Sequence, residues 1–289
     1  MGKISNVLIY TNKISKNMHL LVVSDIHATK TSGYKNLTKI KDIMSTEPID
    51  HIIIPGDIVD DVESLKDYNF QKKLQSSLLE FTQEKPTIIS YGNHDQMTKK
   101  DGIWQEGNKQ LLKDTLSPLP NYHLLENGEI FKTDEITYSA LSPHFNFYEG
   151  KDKTKKERES DEAYQEIFYS SYYKDLFNKK EFNIFLTHAP QAFIRLSKKK
   201  GSCIVPNTDM AVSGHMHNGL LPNFLGKYMH NRGIISPQMQ LFPDYAQGKY
   251  QQNDTTYVIN GPVNAMVGLP IVNDIYGPNA TVVTLVKKR

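Results

Sequence analysis

Short apolar runs alternate with longer amphipathic stretches through the first third of the chain. Residues 19–23 and 52–54 read as buried strands, while 34–44 and 62–81 carry the three-and-four spacing of helices with one apolar face. A strand over 87–91 follows, so the opening predicts βα units in a layered α/β domain, a fold that sets polar residues at strand ends against a ligand. Beyond it the rhythm changes. Short strands over 122–125, 130–131 and 136–141 follow one another without helical spacing between them, which predicts a meander rather than further crossovers. Residues 161–177 return to helical spacing, with Tyr164, Ile167, Phe168, Tyr172 and Phe177 toward the core. Strands over 182–186, 210–212, 256–260 and 281–286 build a second sheet, and the Gly-, Pro- and Asn-rich stretch 218–248 predicts an ordered surface excursion over the site.

Composition narrows this picture. A chain of 289 residues with 38% hydrophobic content can bury a sizeable core, and without a repeat or linker it is expected to form a single domain over 1–289. Its 34 basic and 32 acidic residues nearly cancel, leaving +2 and no strong field to draw in nucleic acid. The charged stretch 149–159, with Lys151, Lys153, Lys155, Lys156 and Arg158, reads as a solvated loop and helix start. A single cysteine, Cys203, leaves no internal disulfide and reads as an inert thiol. No apolar stretch approaches the roughly 18 residues of a spanning helix, and the N-terminus lacks the apolar core of an export signal. Gly2 invites myristoylation, but Asn6 stands where that motif wants Ser or Thr. A soluble, cytoplasmic protein is the expectation, with an export or anchor segment upstream of Met1 left open, membrane association without a visible anchor, and oligomeric state unreadable.

The candidate chemistry sits in five short words: Ser24-Asp25-Ile26-His27, Gly56-Asp57-Ile58-Val59-Asp60, Gly92-Asn93-His94-Asp95, Thr187-His188-Ala189 and Gly214-His215-Met216-His217. Each lies where a predicted strand gives way to a loop. They offer seven metal donors, Asp25, His27, Asp57, Asn93, His188, His215 and His217, enough for two coordination shells if a carboxylate is shared. Asp57, after a glycine that permits a sharp turn, is the expected bridge. The period-two spacing of Asp25 and His27 predicts that both point to one side of an extended strand end and bind one ion. His215 and His217 share that spacing, but a loop can turn them toward different ions. Two cations about 3.5 to 4 Å apart acidify a water and hold phosphate oxygens, so the expected reaction is hydrolysis of a small-molecule phosphate ester. His94 is the candidate acid for the leaving oxygen, with Asp95 orienting its other nitrogen. Asp60 is expected beside the ligands rather than among them, and Asp61 is expected exposed. His19, His51, His123 and His230 read as packing or surface residues, whereas His144 is placed at a substrate mouth.

In order and content these words resemble those of the calcineurin-like metallophosphoesterase superfamily. The resemblance implies an α/β four-layer sandwich of two mixed β-sheets flanked by helices. It also implies that Asp25, His27, Asp57 and His217 hold a first ion and Asp57, Asn93, His188 and His215 a second. The ions used by that superfamily include Mn, Fe, Zn, Ni and Co; Mn is the expectation here, with Fe or Zn next. Asp61 stands where the serine/threonine phosphoprotein phosphatases carry Arg, which argues against that branch. A looser resemblance, to bacterial phosphodiesterases related to UDP-diacylglucosamine pyrophosphohydrolases, makes a phosphodiesterase the leading expectation. Asn218-Gly219 replaces their Gly-Gly after the last histidine, and Ser142-Pro143-His144 replaces their Gly-Leu-Asp-Asp. A nuclease of the superfamily and a noncatalytic interaction module on the same fold are the alternatives.

Overall fold

Side chains of β2 (Met18–Val22) alternate between two cores: Leu20 and Val22 enter one, while Leu21, with Val23 just past the strand, enters the other. A strand buried on both faces lies inside a layered molecule. The structure is a computed structural model describing residues 3–44, 47–83, 85–148, 175–192, 205–222, 225, 228–229, 231–237, 239, 241–264 and 278–288.

The first sheet runs in the order β1 (Lys3–Thr11), β14 (Asn279–Lys287), β2, β3 (His51–Pro55), β4 (Thr87–Ser90) and β7 (Tyr122–Leu124). Its pairs are parallel except β14 with β2. The second runs β12 (Gly248–Gln252), β13 (Thr255–Ile259), β11 (Met210–Ser213), β10 (Phe182–Thr187), β9 (Ile136–Leu141) and β8 (Ile130–Lys132), antiparallel only at its two edges. A hairpin of β5 (Met97–Lys100) and β6 (Ile103–Glu106) stands apart.

Leu20, Val22, Ile53 and Ile88 of the first sheet meet Tyr138, Ile184, Leu186 and Val212 of the second in a shared core. His51 ties the sheets further, its Nδ1 lying 2.7 Å from the Tyr138 hydroxyl. The other face of the first sheet is covered by α1 (Tyr34–Met44), α2 (Tyr68–Thr82) and α3 (Gln110–Leu116). In α2, Phe70, Leu74, Leu78 and Phe81 form one stripe against that core, each burial contributing about 2 kcal/mol. Outside the second sheet, Leu141, Phe185, Ala211 and Tyr257 pack with Phe177, Ala192 and Val205. The fold is the expected four-layer α/β sandwich of two mixed sheets.

Four expectations change. The strand over 281–286, expected in the second sheet, is β14 of the first, where it pairs with β1 and β2. Residues 62–81 are not one helix: a 3-10 helix (Val62–Lys66) stops at Asp67, whose carboxylate accepts the N–H groups of Asn69 and Phe70 and starts α2 afresh. The meander dissolves, because β7 pairs in parallel with β4 in the first sheet and only β8 and β9 form a hairpin in the second. Strands of three residues carry too little pattern to say which sheet they join. Strand β1, with Ile4, Leu8 and Tyr10 exposed on one face, was not expected. Positions 161–174 of the expected helix, the charged stretch 149–159, Cys203 and His230 lie outside the described residues.

Candidate active site

All five words lie at or just past the C-terminal ends of parallel strands, β2, β3 and β4 from one sheet and β10 and β11 from the other. The loops leaving them are bent sharply. Asp25 (φ 55°), His27 (φ 45°), Asp57 (φ 55°), His215 (φ 66°) and His217 (φ 47°) all hold left-handed backbone, a region that non-glycine residues seldom occupy. The Asp25-x-His27 pair is therefore not an extended strand end, and its period-two reading is corrected. Its side chains converge because Ile26 and His27 both donate backbone N–H to the Asp57 carbonyl, at 2.8 and 3.0 Å, which curls the segment over the neighbouring loop.

The expected donors come together. Asp57 Oδ2 lies 3.1 Å from His188 Nε2 and 3.7 Å from His27 Nε2, so one carboxylate oxygen stands between two imidazoles from different sheets. On one side, His27 Nε2 and His217 Nε2 are 3.3 Å apart and Asp25 Oδ1 is 3.2 Å from His217 Nε2. On the other, the His188 and His215 rings pack at 5.0 Å between centroids. His215 and His217 thus turn to opposite sides, as a loop allows and a strand does not. Asp25 Oδ1 also lies 3.9 Å from His188 Nε2, so Asp25 too touches both sides.

Two features fit this donor set to cations. The Asn93 Oδ1 atom is buried without a hydrogen-bond partner, an arrangement that costs free energy unless something else takes its lone pairs, and His188 Nε2 faces the Asp57 carboxylate at 3.1 Å. The His188 Nδ1 sits 2.7 Å from the Pro55 carbonyl, which only accepts, so the neutral ring keeps its proton there and has Nε2 to offer a cation. Room is made by glycine: a Cβ on Gly92 would lie 2.1 Å from Asp57 Oδ1, and one on Gly214 would lie 2.6 Å from Asp25 Oδ2.

Charges in the cluster are strongly linked. Burial acts to raise the Asp25 carboxyl, but His217 and His188 override it and hold it below the usual carboxylate range. Asp57 behaves likewise against His188, His94 and His27. Burial lowers His215 to about 3, with the neighbouring His188 adding to the effect. For His188 the pull of burial is reversed by Asp57 and Asp25, which push it up to about 9. A proton and a cation compete for that same nitrogen.

Asp95 does not orient His94. It is fully buried, and its carboxylate accepts backbone N–H groups from Asp57, Ile58, Val59 and Gly92. Burial and the nearby Asp57 charge push its pKa up to about 6 against those donors. The residue that steers His94 is Asp60, whose backbone carbonyl lies 2.7 Å from His94 Nδ1 and whose carboxylate lies 3.6 Å from His27 Nδ1. Asp61 is not simply exposed: it caps the 3-10 helix at Glu63 N–H and holds Lys99 N–H of β5 at 3.0 Å.

A cavity of about 270 Å³ opens beside Asp57, Asn93, His94, His215 and His217. Its far wall comes from the 218–248 excursion, as expected for that stretch, through Leu220, Ile235, Ser236, Pro237 and Met239. Sequence reading missed Trp104 of β6, whose ring meets His94 at 4.8 Å, and Tyr148, whose ring packs on His215 at 5.0 Å with its hydroxyl buried. Neither belongs to a patterned word, and only proximity in the fold marks them. His144, expected at the mouth, meets Glu106 at 3.3 Å and does not line the cavity. His123 stacks on Phe131 at 3.7 Å, in keeping with a packing role.

A family model for calcineurin-like phosphoesterases matches residues 18–219. No curated protein matches the chain. Among solved structures, a dimetal phosphatase from Danio rerio is similar at 8% identity and TM-score 0.48, with 93% of each chain covered. A novel archaeal phosphodiesterase is similar at 13% identity and TM-score 0.40, covering 85% of this chain and 84% of that one. The NAD nucleotidase of Haemophilus influenzae is similar at 13% identity and TM-score 0.48, over 86% of this chain and 51% of that one.

Proposed function

The chain belongs to the calcineurin-like phosphoesterase family of metal-dependent phosphoester hydrolases, and on that premise we propose that it is a phosphodiesterase working with two divalent cations. Asp25, His27, Asp57 and His217 would hold one ion and Asp57, Asn93, His188 and His215 the other. The observation that carries this reading is Asp57 Oδ2 standing within 3.7 Å of His27 Nε2 and 3.1 Å of His188 Nε2. Manganese is the proposed ion and Fe or Zn the alternatives, since a mixed nitrogen and oxygen set does not select on ligand softness. When bound, such a pair acidifies water and neutralises phosphate charge.

The chain's own groups do the rest. His94 lines the cavity with its Nδ1 fixed on the Asp60 carbonyl, leaving Nε2 to pass a proton to the departing ester oxygen. Asp95 keeps Asp57 and the Asn93 loop in register. Among the described residues no lysine or arginine lines the cavity to meet the second negative charge of a monoester, which supports a diester.

The test is hydrolysis of bis(4-nitrophenyl) phosphate against 4-nitrophenyl phosphate, on protein whose metal content is measured. Mn-dependent turnover favouring the diester is expected. Inert protein carrying two ions per chain would overturn the reading.

A further inference from the structure

The cavity has two unlike walls. Among the described residues, Leu220, Ile235, Pro237 and Met239 face the metal-ligand side, with Ser236 beside them. Leu220 (φ 46°) and Met239 (φ 61°) hold left-handed backbone, as does Phe242 (φ 48°) just beyond. Large apolar side chains occupy that region rarely and at a cost, so the surrounding structure must impose it. It does so through backbone bonds: Ile234 and Ile235 both donate to the Gly219 carbonyl at 2.7 and 3.0 Å, Met239 to Ser236 at 2.8 Å, and Phe242 to Ile234 at 2.8 Å. Gly219 itself approaches Gly233 so closely that a Cβ on either would lie 2.4 Å from the other's Cα.

This effort does not bury the side chains. Met239 is 65% exposed, and Leu241, bridged across the turn to Ile235, is 63% exposed, as is Phe242. A turn tied by backbone bonds that sets Leu220, Ile235, Pro237 and Met239 on the cavity of the metal donors is shaped for an apolar ligand. The phosphate would sit among the metal donors, and whatever ester group extends across the cavity meets aliphatic carbon.

Resting on the phosphodiesterase reading, we propose that Leu220, Ile235, Pro237 and Met239 form a specificity wall for an aliphatic ester arm, so that the substrates are amphipathic phosphodiesters rather than nucleotides or phosphosugars. A sugar or base would set its hydroxyl and amide groups against the aliphatic side chains of Leu220, Ile235, Pro237 and Met239, which disfavours it.

The experiment uses 4-nitrophenyl phosphodiesters whose second group is methyl, butyl or octyl, on metal-analysed protein. Turnover is read as kcat/KM, and binding of methyl- and octylphosphonate is read by calorimetry. The wall predicts a preference for octyl over methyl of about tenfold or more in both readouts, and a smaller ratio in Met239→Glu and Leu220→Asn, each compared within itself. Ratios near one in the wild type, or unchanged in both variants, overturn it. If no ester is turned over, the phosphodiesterase reading falls while the phosphonate ratio still decides the wall. A dodecyl ester offered free and in phosphatidylcholine vesicles separates a dissolved substrate from a membrane-held one. Where the methyl ester is turned over, dodecyl turnover above it in either form supports the assignment, and in neither overturns it.

Discussion

The carboxylate of Asp95 accepts the backbone N–H of Asp57 at 2.8 Å, and through that one contact a buried anion sets the position of the proposed bridging ligand. The same oxygen takes Gly92 N–H at 2.9 Å, while its partner takes Ile58 and Val59 at 2.9 and 3.2 Å. The loops after β3 and β4 are therefore gathered on one side chain. Burying a carboxylate is costly, and these N–H donors offset the cost only while all of them are aimed at it. The spacing of Asp57 and Asn93 is thus fixed by the protein before any ion arrives.

Asp95→Asn should expose how much depends on this. Each carboxylate oxygen faces two backbone N–H groups, so an amide, whichever way it turns, sets its NH₂ against a pair of donors. We expect a stability loss of about 3 kcal/mol in chelator-treated protein, read by denaturant unfolding, and fewer ions per chain by elemental analysis. A variant as stable as the wild type would mean that the loops hold themselves.

Gly92→Ala tests the cradle from the other side. The added Cβ would lie 2.1 Å from Asp57 Oδ1 and 2.4 Å from Asp57 N, and backbone cannot give way as a flexible side chain can. Since Gly92 lies beyond β4, the sheets should survive and far-UV circular dichroism should be unchanged. Metal affinity should fall by about tenfold or more, the scale seen when groups that orient ligands are disturbed. Wild-type affinity would show that Asp57 can shift without penalty.

The central sheet strands and the donor list were legible in the sequence because both are written locally, whereas the edge strands β1 and β12 were not. A buried strand such as 52–54 is an apolar run, and Asp57, Asn93 and His188 each follow one directly. What was not legible depends on contacts between distant segments. Asp95 lies next to His94, which suggested a pair, but its partners lie on the loop after β3, 36 to 38 residues away, as well as at Gly92. The convergence of Asp25 and His27 was expected for the wrong reason, since left-handed backbone at both residues reflects the tertiary bond of Ile26 and His27 to Asp57. Trp104 carries no spacing at all and reaches His94 only because β5 and β6 fold back over the site.

His94 and Asp60 should separate in kinetics. His94→Asn removes the proposed proton donor and should lower kcat by about a hundredfold to ten-thousandfold with metal content retained. Asp60→Asn leaves intact the main-chain carbonyl 2.7 Å from His94 Nδ1 and removes only a carboxylate 3.6 Å from His27 and 3.8 Å from His94. Its loss should be milder, about tenfold. Equal losses in the two variants would move the steering role from the carbonyl to the carboxylate.

Away from the metal donors, His51 should make stability depend on pH. Burial lowers its pKa below the ordinary 6.5, with Asp50 pulling it up and Lys16 pulling it down. The native ring is therefore neutral where the unfolded chain begins to take up a proton, so the unfolded state binds more protons in this window. The sign follows: the contribution is complete above 6.5 and is lost as pH falls through the lower folded-state value. His51→Asn keeps a polar partner for the Tyr138 hydroxyl, now 2.7 Å from His51 Nδ1, but cannot titrate. At about pH 7.5 it should be less stable than the wild type by about 1 kcal/mol, from imperfect replacement of that bond. Toward about pH 5 the gap should narrow, because only the wild type carries the His51 penalty. Other buried histidines titrate in both proteins and cancel in the difference. Thermal melts of chelator-treated protein across this range read the gap directly, and a constant gap would place the His51 proton equilibrium at its unfolded value.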